Sequence, residues 1–243
     1  MRIETLAIRL RPRTSLEAAD LGVRLCQRTG WTVYRAYVAV ALPIFTLALA
    51  TSELAAWLPP LAIWCAKPWL DCTVLFVLSR AAFGQPTTLA DLWREQRQVW
   101  WRQLLFTLTI RRLSPWRSLT QPVYTLEGLS IRDAHARVRQ IRKRNAGSAL
   151  LMMQAFAACE ATLALAVISL VFWFAPAGDG TDILELMAGE ANVVSWAFAI
   201  AYALVVLFLE PFYVAAGFGM YLNRRAELEA WDIEQEFRRA FAA

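Results

Sequence analysis

Histidine is almost absent: the chain has one, His135, and its four cysteines (Cys26, Cys65, Cys72 and Cys159) form neither a CxxC pair nor a Cys/His set. These lacks argue against a disulfide framework or a metal site, and the cysteines read as small hydrophobes in or beside apolar helices. No GxSxG, HExxH, Walker A or dinucleotide fingerprint occurs, and "GFG" at 217–219 lies inside an apolar run, so it is no phosphate loop. With no recognisable nucleophile or metal set, the expectation is a non-enzyme with no cofactor. Tandem repeats and low-complexity tracts are lacking too. Positive charge is missing from two stretches, 51–54 and 175–194, and the second of these is acidic.

Apolar residues are plentiful. They make up 58% of the 243 residues, and the mean hydropathy is +0.39. A soluble domain is usually about 45–50% apolar. Eleven tryptophans, several beside basic residues, fit membrane–water interfaces. Crossing about 30 Å of hydrocarbon takes roughly 20 helical residues, and four runs are long enough: 31–50, 60–83, 148–174 and 195–221. The expected fold is therefore all-α, an integral membrane four-helix bundle with amphipathic cytoplasmic helices.

Five segments follow. Residues 1–30 form a charged arm, too charged for a cleavable signal. Thr14-Ser15-Leu16-Glu17 fits a capping box, which predicts a helix from Ser15. Leu16, Ala19, Val23 and Cys26 would form its apolar face, suited either to the membrane surface or to a helix extending from the first span. Residues 31–83 hold the first helical pair, with Pro43 as a kink and Pro59-Pro60 opening the second span. Residues 84–147 form a basic loop. In it, "TTLADLWREQRQVWWRQLLFTL" reads as one interfacial helix with Arg94, Arg97 and Arg102 among Trp93, Trp100 and Trp101. Packing of that apolar face on another helix is the alternative. "RRLSPWRSLTQPVY" reads as a Pro-punctuated connector, and "RDAHARVRQIRKRN" as a basic helix running into the third span. Residues 148–222 hold the second helical pair, and 223–243 a charged helical tail.

Lysine and arginine assign the sides. The loop 84–147 carries about a dozen of them, the N-terminal arm six and the tail four. The positive-inside rule then puts both termini and the long loop in the cytoplasm. Arg94, Arg97, Trp100, Trp101, Arg102, Arg137, Arg142, Lys143, Arg144, Arg224 and Arg225 become the expected contacts to lipid or a protein partner. Beside a membrane, anionic phospholipid headgroups suit such a surface better than nucleic acid.

Four titratable residues stand inside the apolar runs. Lys67 is 13 residues from Arg80, roughly 20 Å deep by helical rise. Glu210 is 14 residues from Arg224, roughly 21 Å deep. Glu160 reaches about the same layer, and Asp71 lies roughly 14 Å in. A lone charge there costs at least about 2.5–3.5 kcal/mol. The economical arrangement is a shared cluster, with Lys67 meeting Asp71 at i,i+4 and Glu160 and Glu210 across helices. One lysine against three carboxylates leaves −2 if all are ionised. The expectation is that Glu160 or Glu210 carries a proton, or that a cation or partner group completes the site. Such a cluster either pins helix register or conducts protons or ions. Pro68 and Pro211, each beside a cluster residue, would free backbone carbonyls as in broken transporter helices. Small residues at Ala155, Ala158, Ala161 and Ala164, and at Ala215, Ala216, Gly217 and Gly219, permit close helix packing, within the bundle or between copies.

"LRPRTSLEAADLG" (10–22), "KPWLDCTVLFVLSRAAFG" (67–84), "RSLTQPVYTLEGL" (117–129) and "EPFYVAAGFGMYLNRRAELEAWDIEQEFRR" (210–239) resemble a family of uncharacterised proteobacterial inner-membrane proteins. Genes of that family often lie near those for MoxR-type AAA+ ATPases, von Willebrand A-like proteins and transglutaminase-like membrane proteins. The resemblance implies a membrane component of a chaperone-like or envelope-maintenance system in the bacterial inner membrane. It also implies similar titratable residues at Lys67, Asp71, Glu160 and Glu210. The leading expectation is a non-enzymatic scaffold or assembly partner. The alternative is a small proton- or ion-coupled transporter subunit.

Overall fold

The structure, a computed structural model, describes residues 13–101, 104, 112–173 and 191–229. Expectations for Arg102, for residues 1–12 and 174–190, and for the tail beyond Glu229 lie outside the described residues. All regular structure among the described residues is helical. Four apolar helical stretches, Gly30–Glu53, Leu58–Ala82, Ala146–Leu170 and Val194–Glu229, are long and apolar enough to cross a membrane.

Helix α1 (Ser15–Arg28) starts at the expected capping box: the Glu17 N–H donates to Thr14 Oγ1 and the Thr14 N–H to Glu17 Oε2. It packs along the last helix, α8 (Ala191–Glu229), and a single residue, Thr29, separates it from the helix of the first apolar run. The buried face is Ala18, Ala19, Gly22, Leu25 and Cys26, while Leu16 is exposed. Small residues decide this. A Cβ on Gly22 would lie 2.0 Å from the Ala215 carbonyl oxygen, and one on Gly219 2.2 Å from that of Ala18. The two backbones approach where side chains are missing.

Helix α2 (Gly30–Ala50) follows after Thr29 and contains Pro43. A short 3₁₀ turn over Thr51–Glu53 leads towards α3 (Leu58–Ala82), which has Pro59 and Pro60 in its first turn and Pro68 inside. The expected span limits agree with α2 and α3 to within a few residues. The last helix overshoots: α8 continues to Glu229, because "NRRAELE" holds good helix formers and no breaker. α8 is the central element and packs on α1, α2 and α3. Helix α7 (Ala146–Trp173) packs mainly on α8 and leaves Leu151, Leu165 and Leu170 exposed.

The loop between α3 and α7 departs most from expectation. Where the stretch "TTLADLWREQRQVWWRQLLFTL" is described, over 87–101, a short α4 (Leu89–Arg94), capped by Thr88 and Asp91, and a π-helical turn at Arg97–Trp101 stand where a single helix was expected. Residues 102–103 and 105–108 lie outside the described residues. The expected connector contains helix α5 (Arg117–Leu126) with Pro122 inside, and every residue from Arg117 to Val123 is buried. α5 packs against α8 and α3. The basic helix α6 (Ile131–Arg142) forms behind an N-cap at Ser130. It does not run into α7, because Arg144 adopts a left-handed turn (φ 78°).

The ends of these elements meet. Ser15 Oγ donates to Asn145 Oδ1 at 2.9 Å, and the Arg13 N–H donates to Asn223 Oδ1 at 3.3 Å. Glu127 accepts from Tyr221 Oη at 2.7 Å and pairs with Arg137, which also reaches Glu229. Arg225 pairs with Glu229. One end of the molecule thus gathers Arg13, just before α1, with Arg137 of α6 and Arg225 of α8.

Candidate functional site

The site grows from α3. Lys67 and Asp71 lie one turn apart, and both are buried, at 5% and 0% exposure. Lys67 Nζ is 2.7 Å from Glu160 Oε2 on α7 and 2.7 Å from Glu210 Oε2 on α8. Glu210 is 2% exposed. The cross-helix meeting of Lys67, Glu160 and Glu210 matches the depth argument.

The expected Lys67–Asp71 pair is replaced. Asp71 faces Arg117, whose Nε is 3.1 Å from Oδ2, and Arg117 Nη2 donates to Glu210 Oε1 at 2.5 Å. The lysine extends towards α7 and α8, and the guanidinium arriving from α5 covers the aspartate. The charges form one chain: Glu160, Lys67, Glu210, Arg117, Asp71. By distance the Asp71–Arg117 contact is an ion pair. Yet Asp71 Oδ1, Asp71 Oδ2 and Arg117 Nε are buried without a well-directed hydrogen bond, so the contact is a charge pair of poor angle.

Arg117 is the residue sequence reasoning missed. Three contacts set its position. Ser118 lies so close to α8 that a Cβ on Gly217 would sit 2.4 Å from the Ser118 Cβ. Gln121 Nε2 donates to the Pro68 carbonyl at 2.6 Å, beside the α3 proline. Trp116 Nε1 donates to the Ala146 carbonyl at 3.1 Å, while the Arg142 guanidinium stacks 3.6 Å over the Trp116 ring. A comparable contact flanks Pro211, where Tyr34 Oη donates to the Phe208 carbonyl at 2.6 Å. The signal for Arg117 was the charge imbalance itself. With Arg117 counted, the fully ionised chain carries −1, from three carboxylates and two cations.

Glu160 differs from its partners, because its side chain is 23% exposed. It lines a cavity of about 580 Å³ together with Lys67, Glu210, Arg117, Arg112 and Trp64. The cavity runs along α7 past Ala157 and Ala161, both exposed to the outside.

The expected lipid or partner contacts divide. Arg94, Arg97, Trp101, Lys143 and Arg144 are exposed. Trp100 is not an outward contact: it is buried on α3, where its Nε1 donates to Thr73 Oγ1 at 3.0 Å and its ring meets Trp69 at 5.4 Å. Arg224 is likewise buried, paired with Glu227 at 2.7 Å. Arg137 bridges Glu127 and Glu229, and Arg142 stacks on Trp116, so these two tie elements together, whereas Arg225 pairs with Glu229 one turn on in its own helix. Of the eight small residues, Gly217, Gly219 and Ala215 serve the α5 and α1 contacts within the chain. Among the described residues no group of His, Cys, Asp and Glu is arranged to hold a metal ion. No family model matches the chain, and no curated protein or solved structure matches it.

Proposed function

We propose that the chain is a non-enzymatic, multi-pass scaffold of the bacterial inner membrane, with both termini cytoplasmic. Its basic end would present Arg94, Arg97, Lys143 and Arg144 to anionic headgroups and to a protein partner. The observation that carries this reading is the continuous chain of ion pairs. It ties α3, α5, α7 and α8 together, and each carboxylate in it has a cation beside it. Such pairing is what a membrane protein needs to keep ions out of hydrocarbon, and it fixes register. The resemblance to proteins encoded near MoxR-type ATPases supplies the setting, an envelope-maintenance system. Affinity purification from native membranes in mild detergent, with mass spectrometry of proteins and lipids, tests the proposal. A defined partner and anionic phospholipid should co-purify, and joint replacement of Arg94, Arg97, Lys143 and Arg144 by glutamine should weaken both. Recovery of the chain alone, unchanged by those replacements, would count against it.

A second reading, a small proton- or ion-coupled transporter subunit, is favoured by one feature: the chain of charges carries −1 and Glu160 opens onto a cavity. One proton or one monovalent cation would neutralise it. Under this reading Glu160→Gln and Glu210→Gln leave expression and partner capture intact and abolish flux. Under the scaffold reading the Glu210 change causes misassembly.

A further inference from the structure

The cavity beside the charge chain holds a cation that the chain does not use. Arg112 has no carboxylate within ion-pairing distance among the described residues, and its Nε is buried without a hydrogen-bond partner. Its guanidinium lies 3.7 Å over the Trp64 ring, a stacking that fixes the plane and leaves the donor edge free. Burial and then the nearby Arg117 charge lower its pKa, against the opposite pull of Glu210 and Asp71. The lining carries three cations (Lys67, Arg112, Arg117) and two carboxylates (Glu160, Glu210). Asp71, paired with Arg117, makes the whole cluster three against three, and Arg112 is the cation in it without a carboxylate in ion-pairing contact among the described residues.

Apolar groups make up most of the remaining wall. Ala157, Ala161 and Ala164 follow one another at i, i+4 and i+7 along α7, and the cavity opens outward at the first two. At about 580 Å³ it falls within the usual size range for ligand sites. A small hydrated anion would not need that strip, and a neutral hydrocarbon would leave Arg112 unanswered.

We infer that this cavity binds an anionic amphiphile, its phosphate or carboxylate head on Arg112 and an acyl chain along the alanine strip of α7. Trp64 is six residues from Leu58, the start of α3. The head therefore sits roughly 9 Å inside the end of that helix, opposite the basic end where Arg94, Arg97, Lys143 and Arg144 lie. This site is distinct from the basic surface proposed above. It rests on that reading only for its lipid source.

The test uses the full chain in neutral detergent and native mass spectrometry. The probes are lysophosphatidylglycerol, lysophosphatidylcholine of the same acyl length, and inorganic phosphate. The wild type should retain the anionic lipid about ten-fold better than the zwitterionic one, as expected for one charge-assisted contact. Arg112→Gln should abolish that preference. Ala161→Trp, at an exposed position on α7, should fill the strip and lower retention of both lipids, even if Arg112→Gln fails to fold. Millimolar phosphate should not displace the lipid. Unchanged retention in Ala161→Trp, a preference that survives Arg112→Gln, or displacement by phosphate alone (a free-anion site) would each overturn the inference. Loss of partner capture from the basic-end variants, with lipid retention intact, would bear on the scaffold reading alone.

Discussion

Arg117 reaches the interior from a loop helix, so removing it leaves Asp71 with no cation in ion-pairing contact among the described residues and Glu210 with Lys67 alone. Breaking a buried pair by deleting one partner typically costs about 3–5 kcal/mol, because the other charge stays buried. The two glutamates should therefore behave differently. Glu210 serves both cations and is buried, whereas Glu160 serves Lys67 alone and is partly exposed. Unfolding in detergent should show Glu210→Gln losing on the order of 3 kcal/mol and Glu160→Gln no more than about a third of that. Equal losses would mean the second partner of Glu210 adds nothing. Cys26, outside the apolar spans, offers a chemical reporter. It is fully enclosed between α1 and its neighbours, and burial pushes its thiol up to about 12. The reactive thiolate is then scarce at neutral pH. Alkylation at pH 8 should leave Cys26 unmodified until the chain is unfolded. Rapid modification of the folded protein would place α1 elsewhere.

At the scale of elements, α1 and α5 depend on glycine at the contact. Gly219→Ala places a methyl group against the Ala18 carbonyl, which is backbone and cannot move aside. Overpacking of this kind costs about 1–3 kcal/mol. Proteolysis should then cut α1 in the variant at protease levels that leave the wild type whole. Helix α4 carries its own pH dependence. The Thr88 N–H and hydroxyl donate to Asp91 and hold its carboxyl below the usual range. A lowered folded value contributes stability that is complete above the unfolded value and is lost as pH falls through the folded one. Amide exchange at residues 89–92 should therefore accelerate selectively as the pH is lowered below about 4, and a flat profile would contradict the cap. Such elements were only partly legible beforehand. The capping box at Thr14 and Glu17 announces α1, but hydropathy cannot read a contact face made of Ala18 and Gly22. Pro122 hides α5, because a ten-residue helix with an internal proline looks like a connector. The long apolar runs were legible, since a stretch of that length has few other solutions.

For the whole molecule, depth along each helix foretold that Lys67, Glu160 and Glu210 would meet. The choice of partners was not foretold, since i,i+4 spacing permits a Lys67–Asp71 pair without requiring it, and Arg117 comes from a segment with no span-like signal. The account stands on Asp71 and Arg117 being one interacting pair inside a continuous chain of charges. A double-mutant cycle measures this directly, with Asp71→Asn, Arg117→Gln and the double variant unfolded in the same detergent. The account predicts that the double variant loses less than the two single losses added together, with a coupling of about 1–3 kcal/mol. Single losses that simply add, to within about 0.5 kcal/mol, would contradict it.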